Sequence, residues 1–174
     1  MMNLVSKNSL PDAWSRHFED SLQLLPLLPA GPAVLADLGS GAGFPGLVVA
    51  IARPDIKVHL FESTGKKCRF LETVSRETDI PVSIHNVRIE SVDGTFKADI
   101  VTARALANLS VLLDYAAPWV KANPAVSLIF MKGAQADSEV AEARKSWVFD
   151  LKEVQSRTEE NAKILILTNV RRAR

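Results

Sequence analysis

Apolar residues occur along this chain in short runs that alternate with stretches of helical spacing. Apolar or β-branched runs predict strands over residues 33–38, 57–62, 82–87, 98–103 and 126–131. Helical spacing predicts helices over residues 47–53, 66–78, 109–121 and 134–147. Strands that alternate with helices in this way indicate an α/β fold, in which helices cover both faces of a doubly wound, mostly parallel sheet.

The two ends of the chain depart from this alternation. Pro11 opens a predicted amphipathic helix that ends at Pro26. Its apolar residues at helical spacing are Trp14, Phe18, Leu22 and Leu25. Residues 148–155 and 164–170 predict two strands with no room for a crossover helix between them, so this C-terminal hairpin must be antiparallel. We therefore expect one domain over 1–174, with a helical segment over 1–30 and a Rossmann-like core over 31–174.

Composition excludes several classes of protein. The formal net charge is +1, so no overall charge excess indicates nucleic acid or a membrane as the partner. The single cysteine, Cys68, excludes an internal disulfide, and no metal-site spacing of cysteine and histidine surrounds it. The N-terminus is polar, and no apolar run is long enough to span a bilayer. We expect a cytoplasmic, monomeric protein without a metal site or a membrane segment.

A glycine-rich segment, DLGSGAGFPG, follows the first predicted strand at residues 37–46. Gly39, Gly41 and Gly43 allow the backbone to come close to a ligand at the start of the next helix. Glu62 ends the second predicted strand, where its carboxylate can accept hydrogen bonds from two ribose hydroxyl groups. The loop and the carboxylate together predict a site for a nucleoside.

The same segment allows more than one interpretation. Residues 41–46 also fit the dinucleotide motif G-x-G-x-x-G, but that register would bury the charge of Asp37 inside a strand. In the register D-x-G-x-G-x-G, Asp37 ends the strand and can contact the loop and the cationic amino acid part of a cofactor. A third interpretation is a tight turn without a ligand, beside a solvated Glu62. A nicotinamide enzyme is the least favoured, since no residues remain for a separate substrate domain.

With these motifs in place, the sequence resembles the ribosomal RNA small-subunit methyltransferase G family, also called the glucose-inhibited-division B proteins. The run GSGAGFPG at residues 39–46 is typical of that family. The other segments that carry the resemblance are Asn3-Leu4-Val5-Ser6, Trp14-Ser15-Arg16-His17, Asp20-Ser21, Glu62-Ser63, Lys66-Lys67, Phe70-Leu71, Arg88-Ile89-Glu90, Arg104-Ala105 and Lys132-Gly133. Two features depart from the family pattern. Members normally have further helix before the Asn3 segment, and they commonly have a Gly-Gly turn where this chain has ANPA at 122–125.

The resemblance implies the fold of a class I methyltransferase that uses S-adenosylmethionine. It also implies methyl transfer to N7 of a guanine in the decoding-region loop of 16S rRNA, with 16S rRNA or the small ribosomal subunit as the partner. The family's motif positions place cofactor contacts at Gly39, Phe44, Glu62, Ile89, Glu90 and Arg104. The expected cofactor-binding set further includes Asp37, Ser40, Gly41 and Gly43.

The chemistry at such an acceptor sets what the protein must supply. Guanine N7 carries an in-plane lone pair and no proton, so methylation there requires alignment and no general base. We expect Arg104 and Lys132, each at or directly after the end of a predicted strand, to be the catalytic residues that position the acceptor. They must leave N7 free, because the common bidentate contact of arginine with guanine uses both O6 and N7.

The residues expected to bind RNA are Arg16, His17, Lys66 and Lys67. Ordinary surface charge remains the alternative interpretation for these residues and for both positioning cations. A methyltransferase for a small molecule or a protein, and an inactive RNA-binding module, remain alternatives for the function.

Overall fold

The computed structural model describes residues 14–93 and 96–173, and the expected α/β architecture is confirmed in them. The strands are β1 (Ala33–Leu38), β2 (Ile56–Phe61), β3 (Ser83–His85), β4 (Ile100–Arg104), β5 (Ser127–Lys132), β6 (Trp147–Gln155) and β7 (Lys163–Arg172). The helices are α1 (Asp20–Leu22), α2 (Gly46–Ala52), α3 (Gly65–Thr78), α4 (Leu109–Ala122) and α5 (Ala136–Ala143). The Asn3-Leu4-Val5-Ser6 motif and Pro11, the predicted start of the first helix, lie outside the described residues.

The strands form one sheet in the order β3-β2-β1-β4-β5-β7-β6. β1 pairs in parallel with β2 on one side and with β4 on the other. β7 pairs antiparallel with β5 and with β6, which confirms the predicted C-terminal hairpin. The direction in which the chain crosses the sheet reverses between β1 and β4, so the loops after these strands separate and open a crevice at the carboxyl edge.

Two hydrophobic clusters cover the two faces of the sheet. On one face, α4 packs through Leu113 and Trp119, both fully buried. On the other face, α2 and α3 pack through Val49 and Leu71, which are also fully buried. Because both faces are covered, the strands consist of nearly continuous apolar residues. Most polar groups of the site therefore lie at the ends of the strands.

The N-terminal helical segment consists of a π-helical stretch, Trp14–Glu19, that continues into α1. The apolar face predicted for it is confirmed only in part: Leu25 packs against a hydrophobic cluster and Leu22 is half-buried. Trp14 and Phe18 are 64% and 36% exposed, whereas Ser21 and Leu24 are fully buried. A π-helix closes its hydrogen bonds over one more residue than an α-helix, so positions that share a face at α-helical spacing rotate apart.

The last predicted helix ends earlier than its spacing indicates. α5 stops at Ala143, and a short turn leads from it directly into β6. Trp147 therefore opens a strand and does not belong to the helix. Its side chain is almost fully buried, and the guanidinium of Arg172 lies 4.0 Å from the centre of its ring.

Candidate functional site

Three glycines shape the loop between β1 and α2. Gly39, Gly41 and Gly43 have positive φ angles of 67°, 58° and 97°. A Cβ at Gly39 would lie 2.6 Å from Leu106, and a Cβ at Gly43 would lie 2.8 Å from Leu47. A Cβ at Gly41 would meet only a backbone oxygen, at 3.8 Å. The two outer glycines are therefore needed for packing, while the space beside Gly41 is open.

Glu62, the residue directly after β2, is bonded to the backbone of the loops that follow β1 and β2. Its Oε2 accepts a hydrogen bond from Gly41 N at 3.0 Å, and its Oε1 accepts one from Thr64 N at 2.7 Å. Lys67 Nζ lies 3.9 Å from Oε2. Each carboxylate oxygen can accept more than one hydrogen bond, so Glu62 can fix the glycine loop and still accept from a ligand.

Asp37 is the next-to-last residue of β1, close to the strand end as the sequence predicts, but it is fully buried. Thr102 Oγ1 donates to its Oδ1 at 2.7 Å, and Gly46 N donates to its Oδ2 at 3.3 Å. Burial raises the pKa of Asp37 to about 6, although the hydrogen bond from Thr102 acts in the opposite direction. A carboxyl group can be accommodated in a buried strand because these donors satisfy it, so Asp37 joins the start of α2 to β4.

Ser40 is buried beside Asp37. Its hydroxyl donates to the Asp37 carbonyl oxygen at 3.0 Å, and its own N–H donates to Phe61 O at 3.0 Å. Ser40 therefore holds the glycine loop against β1 and β2. Of the expected cofactor-binding residues, Asp37 and Ser40 support the loop from beneath.

A first cleft of about 340 Å³ opens at the carboxyl edge of the sheet. The expected cofactor-binding residues that line it are Gly39, Glu62, Ile89 and Glu90. Leu106 and Tyr115, which sequence reasoning missed, also line it, and Tyr115 OH donates to Glu90 Oε1 at 3.1 Å. The pKa of Glu90 is lowered first by the hydrogen bond from the backbone N–H of Glu90 to its own carboxylate, and then by the bond from Tyr115. Glycine backbone, a carboxylate and apolar side chains together fit the nucleoside part of S-adenosylmethionine.

Arg104, at the end of β4, is bonded to the N-terminal helical segment. Its Nη1 donates to Arg16 O at 3.0 Å and to Asp20 Oδ2 at 3.1 Å, and its Nη2 lies 3.0 Å from His17 Nδ1. A guanidinium has no acceptor, so His17 Nδ1 accepts this bond and the imidazole proton resides on Nε2. Burial, and then the charges of Arg104 and Arg16, lower the pKa of His17, so the ring is neutral near neutral pH.

Phe44 connects the glycine loop to the same segment. Its ring stacks on His17 with centroids 5.1 Å apart and meets the ring of Phe18 edge-on at 5.1 Å. The Arg104 guanidinium lies 5.2 Å from the Phe44 centroid, within the range of a cation–π contact. A movement of the N-terminal helical segment would therefore be transmitted to the glycine loop through Phe44.

A second cleft, of about 440 Å³, lies beside the first. Four residues that the sequence singled out for the acceptor or for RNA line this cleft, namely Arg16, His17, Arg104 and Lys132. Ala105 lines both clefts and has a φ of 50°, in the left-handed region. The two clefts therefore meet at the residue that follows β4.

Lys132 is more enclosed than sequence reasoning suggests, with a side chain that is 9% exposed. Its Nζ lies 2.6 Å from Glu139 Oε2 and donates to Ala107 O at 2.7 Å. Glu139 Oε2 also accepts from Leu109 N at 2.7 Å. Lys132 therefore fixes the loop between β4 and α4 and retains one N–H for another partner.

Lys66 and Lys67, at the start of α3, lie apart from the residues that line the second cleft. Lys66 is exposed, and Lys67 lines the first cleft. Within residues 14–93 and 96–173, no group of three or more His, Cys, Asp or Glu side chains could hold a metal ion. No helix in those same ranges is long and apolar enough to cross a membrane.

Comparisons with known proteins agree with the fold and with the motifs. A family model described as GidB, rRNA small subunit methyltransferase G, matches residues 1–167. The chain is 47% identical over 169 residues to the ribosomal RNA small subunit methyltransferase G of Rhodospirillum centenum (strain ATCC 51521 / SW), and the match covers 97% of this chain and 76% of that protein.

Solved structures with this fold are much less similar in sequence. The ribosomal protein L11 methylase of Lactobacillus delbrueckii subsp. bulgaricus matches with a TM-score of 0.65 at 18% identity, over 91% of this chain and 79% of that one. Coclaurine N-methyltransferase bound to N-methylheliamine and SAH matches with a TM-score of 0.66 at 13% identity, over 87% and 53%. Together with the match to the family model over nearly the whole length, this class I methyltransferase fold identifies the chain as a member of the rRNA small subunit methyltransferase G family.

Proposed function

We propose that this protein transfers the methyl group of S-adenosylmethionine to N7 of a guanine in 16S rRNA, within the small ribosomal subunit. Dependence on S-adenosylmethionine and action on rRNA are the activity of its family. The observation that carries the proposal is the meeting of the two clefts at Ala105. A cofactor in one cleft and a base in the other would approach each other there, as transfer of a methyl group requires.

The first cleft is the proposed cofactor site. The bound cofactor supplies a sulfonium methyl group, whose C–S electron pair stays on sulfur as the acceptor's lone pair forms the new bond. Glu62 accepts hydrogen bonds from the ribose hydroxyls, and Ile89 and Glu90 line the adenine side. Gly39 lines this cleft, and the open space beside Gly41 would let the backbone of the loop come close to the ligand. Asp37, Ser40, Gly43 and Phe44 keep the loop in place.

The second cleft is the proposed acceptor site. Arg104 retains N–H groups beyond its bonds to Arg16, His17 and Asp20, and these can orient guanine O6 while N7 stays free. Lys132 acts on the acceptor mainly by holding the loop that contains Ala105 and Ala107. No side chain has to remove a proton.

RNA outside the acceptor base is the proposed partner of the exposed cations Arg16 and Lys66 and of the half-buried Lys67. His17 lines the second cleft and is proposed to contact RNA there. Phosphate contacts of this kind hold the RNA in register without reading its sequence. We further propose that residues 1–174 act as a single domain and as a monomer.

The test is methylation of small ribosomal subunits isolated from a strain without this gene, followed by nucleotide-resolution mapping of N7-methylguanosine. We expect one new modification in the decoding-region loop of 16S rRNA that depends on both protein and S-adenosylmethionine. Cofactor binding without any methylated nucleotide in 16S rRNA would contradict the proposal.

A further inference from the structure

The turn between β6 and β7, residues 156–162, forms one wall of the second cleft. Its backbone is tightly bonded: Thr158 N and Glu159 N both donate to Ser156 Oγ at 3.3 Å. Ala162 N donates to Glu159 O at 3.1 Å, and Ser156 N donates to Ala162 O at 2.9 Å. The backbone of Glu159 is therefore held at both its N–H and its carbonyl group.

Gln23 ties this turn to the N-terminal helical segment. Its Oε1 accepts from Arg157 N at 3.0 Å, and its Nε2 donates to Asp20 Oδ1 at 2.7 Å. Thr158 Oγ1 donates to the same Asp20 oxygen at 2.7 Å, while the other oxygen of Asp20 holds Arg104. Gln23 is only 8% exposed, and the side chains of Asp20 and Arg104 are each 18% exposed, so water reaches this network only in part. Arg104 and the turn thus belong to one bonded unit, on two sides of one cleft.

Glu159 is distinguished from the other charged residues of this cleft. Two carboxylates line the second cleft, Asp20 and Glu159, and Asp20 is paired with Arg104. Lys132 and Lys163, which also line it, are paired with acidic residues of α5 and β6. No ion pair among residues 14–93 and 96–173 includes Glu159, although the cleft contains four lysine or arginine side chains. Its carboxylate is thus available to a ligand in the cleft.

Guanine presents what such a carboxylate recognises. On its Watson–Crick edge, N1–H and the N2 amino group are adjacent donors, and two carboxylate oxygens can accept both. Adenine has an acceptor at N1, which a carboxylate repels. Methylation of N7 places positive charge on the base and makes N1–H more acidic, so an anionic acceptor there binds the transition state more strongly than the substrate.

We propose that Glu159 is a specificity-determining residue that reads the N1–H and N2–H donors of the target guanine in the second cleft. This inference rests on the proposed function, because it takes a guanine as the acceptor. Enzymes that modify a base commonly take it out of its stack and read this same edge. Thr158 and Asp20 connect the turn that carries Glu159 to Arg104. The one cleft therefore offers a carboxylate for the Watson–Crick edge and a guanidinium for O6, and neither contact uses N7.

The test compares Glu159→Ala and Glu159→Gln with Glu160→Ala, its exposed neighbour, which does not line the cleft. Single-turnover methylation of small subunits should slow roughly tenfold to a hundredfold in Glu159→Ala, the range expected for lost hydrogen bonds to a charged group. Glu159→Gln should fall between Glu159→Ala and the wild type. Glu160→Ala should equal the wild type, and all three should bind S-adenosylhomocysteine with wild-type affinity.

A second measurement uses subunits reconstituted with inosine, which lacks the N2 amino group, at the target position. The wild type should methylate inosine more slowly than guanine, and Glu159→Ala should methylate the two at similar rates. The inference would be overturned if Glu159→Ala kept the wild-type ratio of the guanine to the inosine methylation rate, or if it kept wild-type turnover on guanine. Either result would leave the proposed function intact. A wild-type protein that methylates no guanine in the subunit would overturn both.

Discussion

The Nη2 atom of Arg104 lies 3.0 Å from His17 Nδ1, although 87 positions separate the two residues in the chain. This bond joins the end of β4 to the N-terminal helical segment and fixes the tautomer of the histidine. The Arg104 guanidinium also lies 5.2 Å from the centre of the Phe44 ring in the glycine loop, and His17 stacks on that ring. The cofactor side and the acceptor side of the site are thus linked through Arg104.

Glu62→Ala should weaken binding of S-adenosylhomocysteine by roughly 1–3 kcal/mol, because hydrogen bonds to a charged acceptor are lost. The glycine loop should also loosen, since Gly41 N loses its partner. Isothermal titration calorimetry measures the affinity, and Glu72→Ala, an exposed glutamate of α3, is the matched control. Equal affinity in Glu62→Ala and Glu72→Ala would show that the carboxylate does not contact the cofactor.

Gly41 and Gly43 should respond differently to substitution, although both have positive φ. Gly41→Val should weaken cofactor binding, because its side chain would enter the open space that is proposed to lie beside the ligand, and it should cost stability only through backbone strain at φ 58°. Gly43→Ala should instead destabilise the fold by about 1–3 kcal/mol, because its Cβ would overlap Leu47. Urea denaturation and calorimetry on both variants separate the two effects. The reverse pattern would mean that the open space beside Gly41 is not the cofactor site.

The strands and the glycine loop can be predicted from the sequence, because the residue patterns that specify them are local. The first strand has its predicted bounds, Ala33–Leu38, and the glycine run and Glu62 occur in the order that a nucleoside site requires. The contacts of Gln23 with Arg157 depend on packing between distant segments, and no local pattern encodes them. The burial of Asp37 is not predictable for a related reason, since the donors that make it acceptable come from β4 and α2.

Lys132→Met should lower both stability and turnover. The substitution leaves Glu139 without its cation and Ala107 O without its donor, at a cost of roughly 1–3 kcal/mol. The double variant Lys132→Met/Glu139→Gln should recover part of the stability, because the unpaired carboxylate is removed. Thermal unfolding and single-turnover methylation check the two expectations. Wild-type turnover in Lys132→Met would show that Lys132 does not influence the acceptor.

The contribution of His59 to stability should fall as the pH decreases from about 6.5 to about 4. Burial, and then the nearby His85, lower the pKa of His59 to about 4. Between these values the unfolded chain binds a proton that the folded protein does not, so the unfolded state gains stability. We expect a contribution of roughly 1–2 kcal/mol, less than the full shift because water partly reaches the ring.

The raised pKa of Asp37 acts in the opposite direction, since the folded state protonates first at that carboxyl group. The contribution of His59 is therefore measured by comparing the wild type with His59→Gln. The free energy of unfolding from urea denaturation should be measured for both proteins between pH 7 and pH 4. The value for the wild type minus the value for His59→Gln should decrease as the pH falls. Parallel pH profiles would remove His59 as a cause.

Arg104 gives the most direct test of the claim that the two clefts have separate tasks and meet at Ala105. Affinity for S-adenosylhomocysteine and single-turnover methylation of small subunits should be measured side by side in the wild type and Arg104→Ala, with circular dichroism to confirm folding. We predict an affinity within a few-fold of the wild type and a methylation rate lower by roughly a hundredfold, since even a ~1 Å misplacement of reacting atoms can cost that much. A loss of affinity as large as the loss of rate would contradict the account, because Arg104 would then serve the cofactor rather than the acceptor.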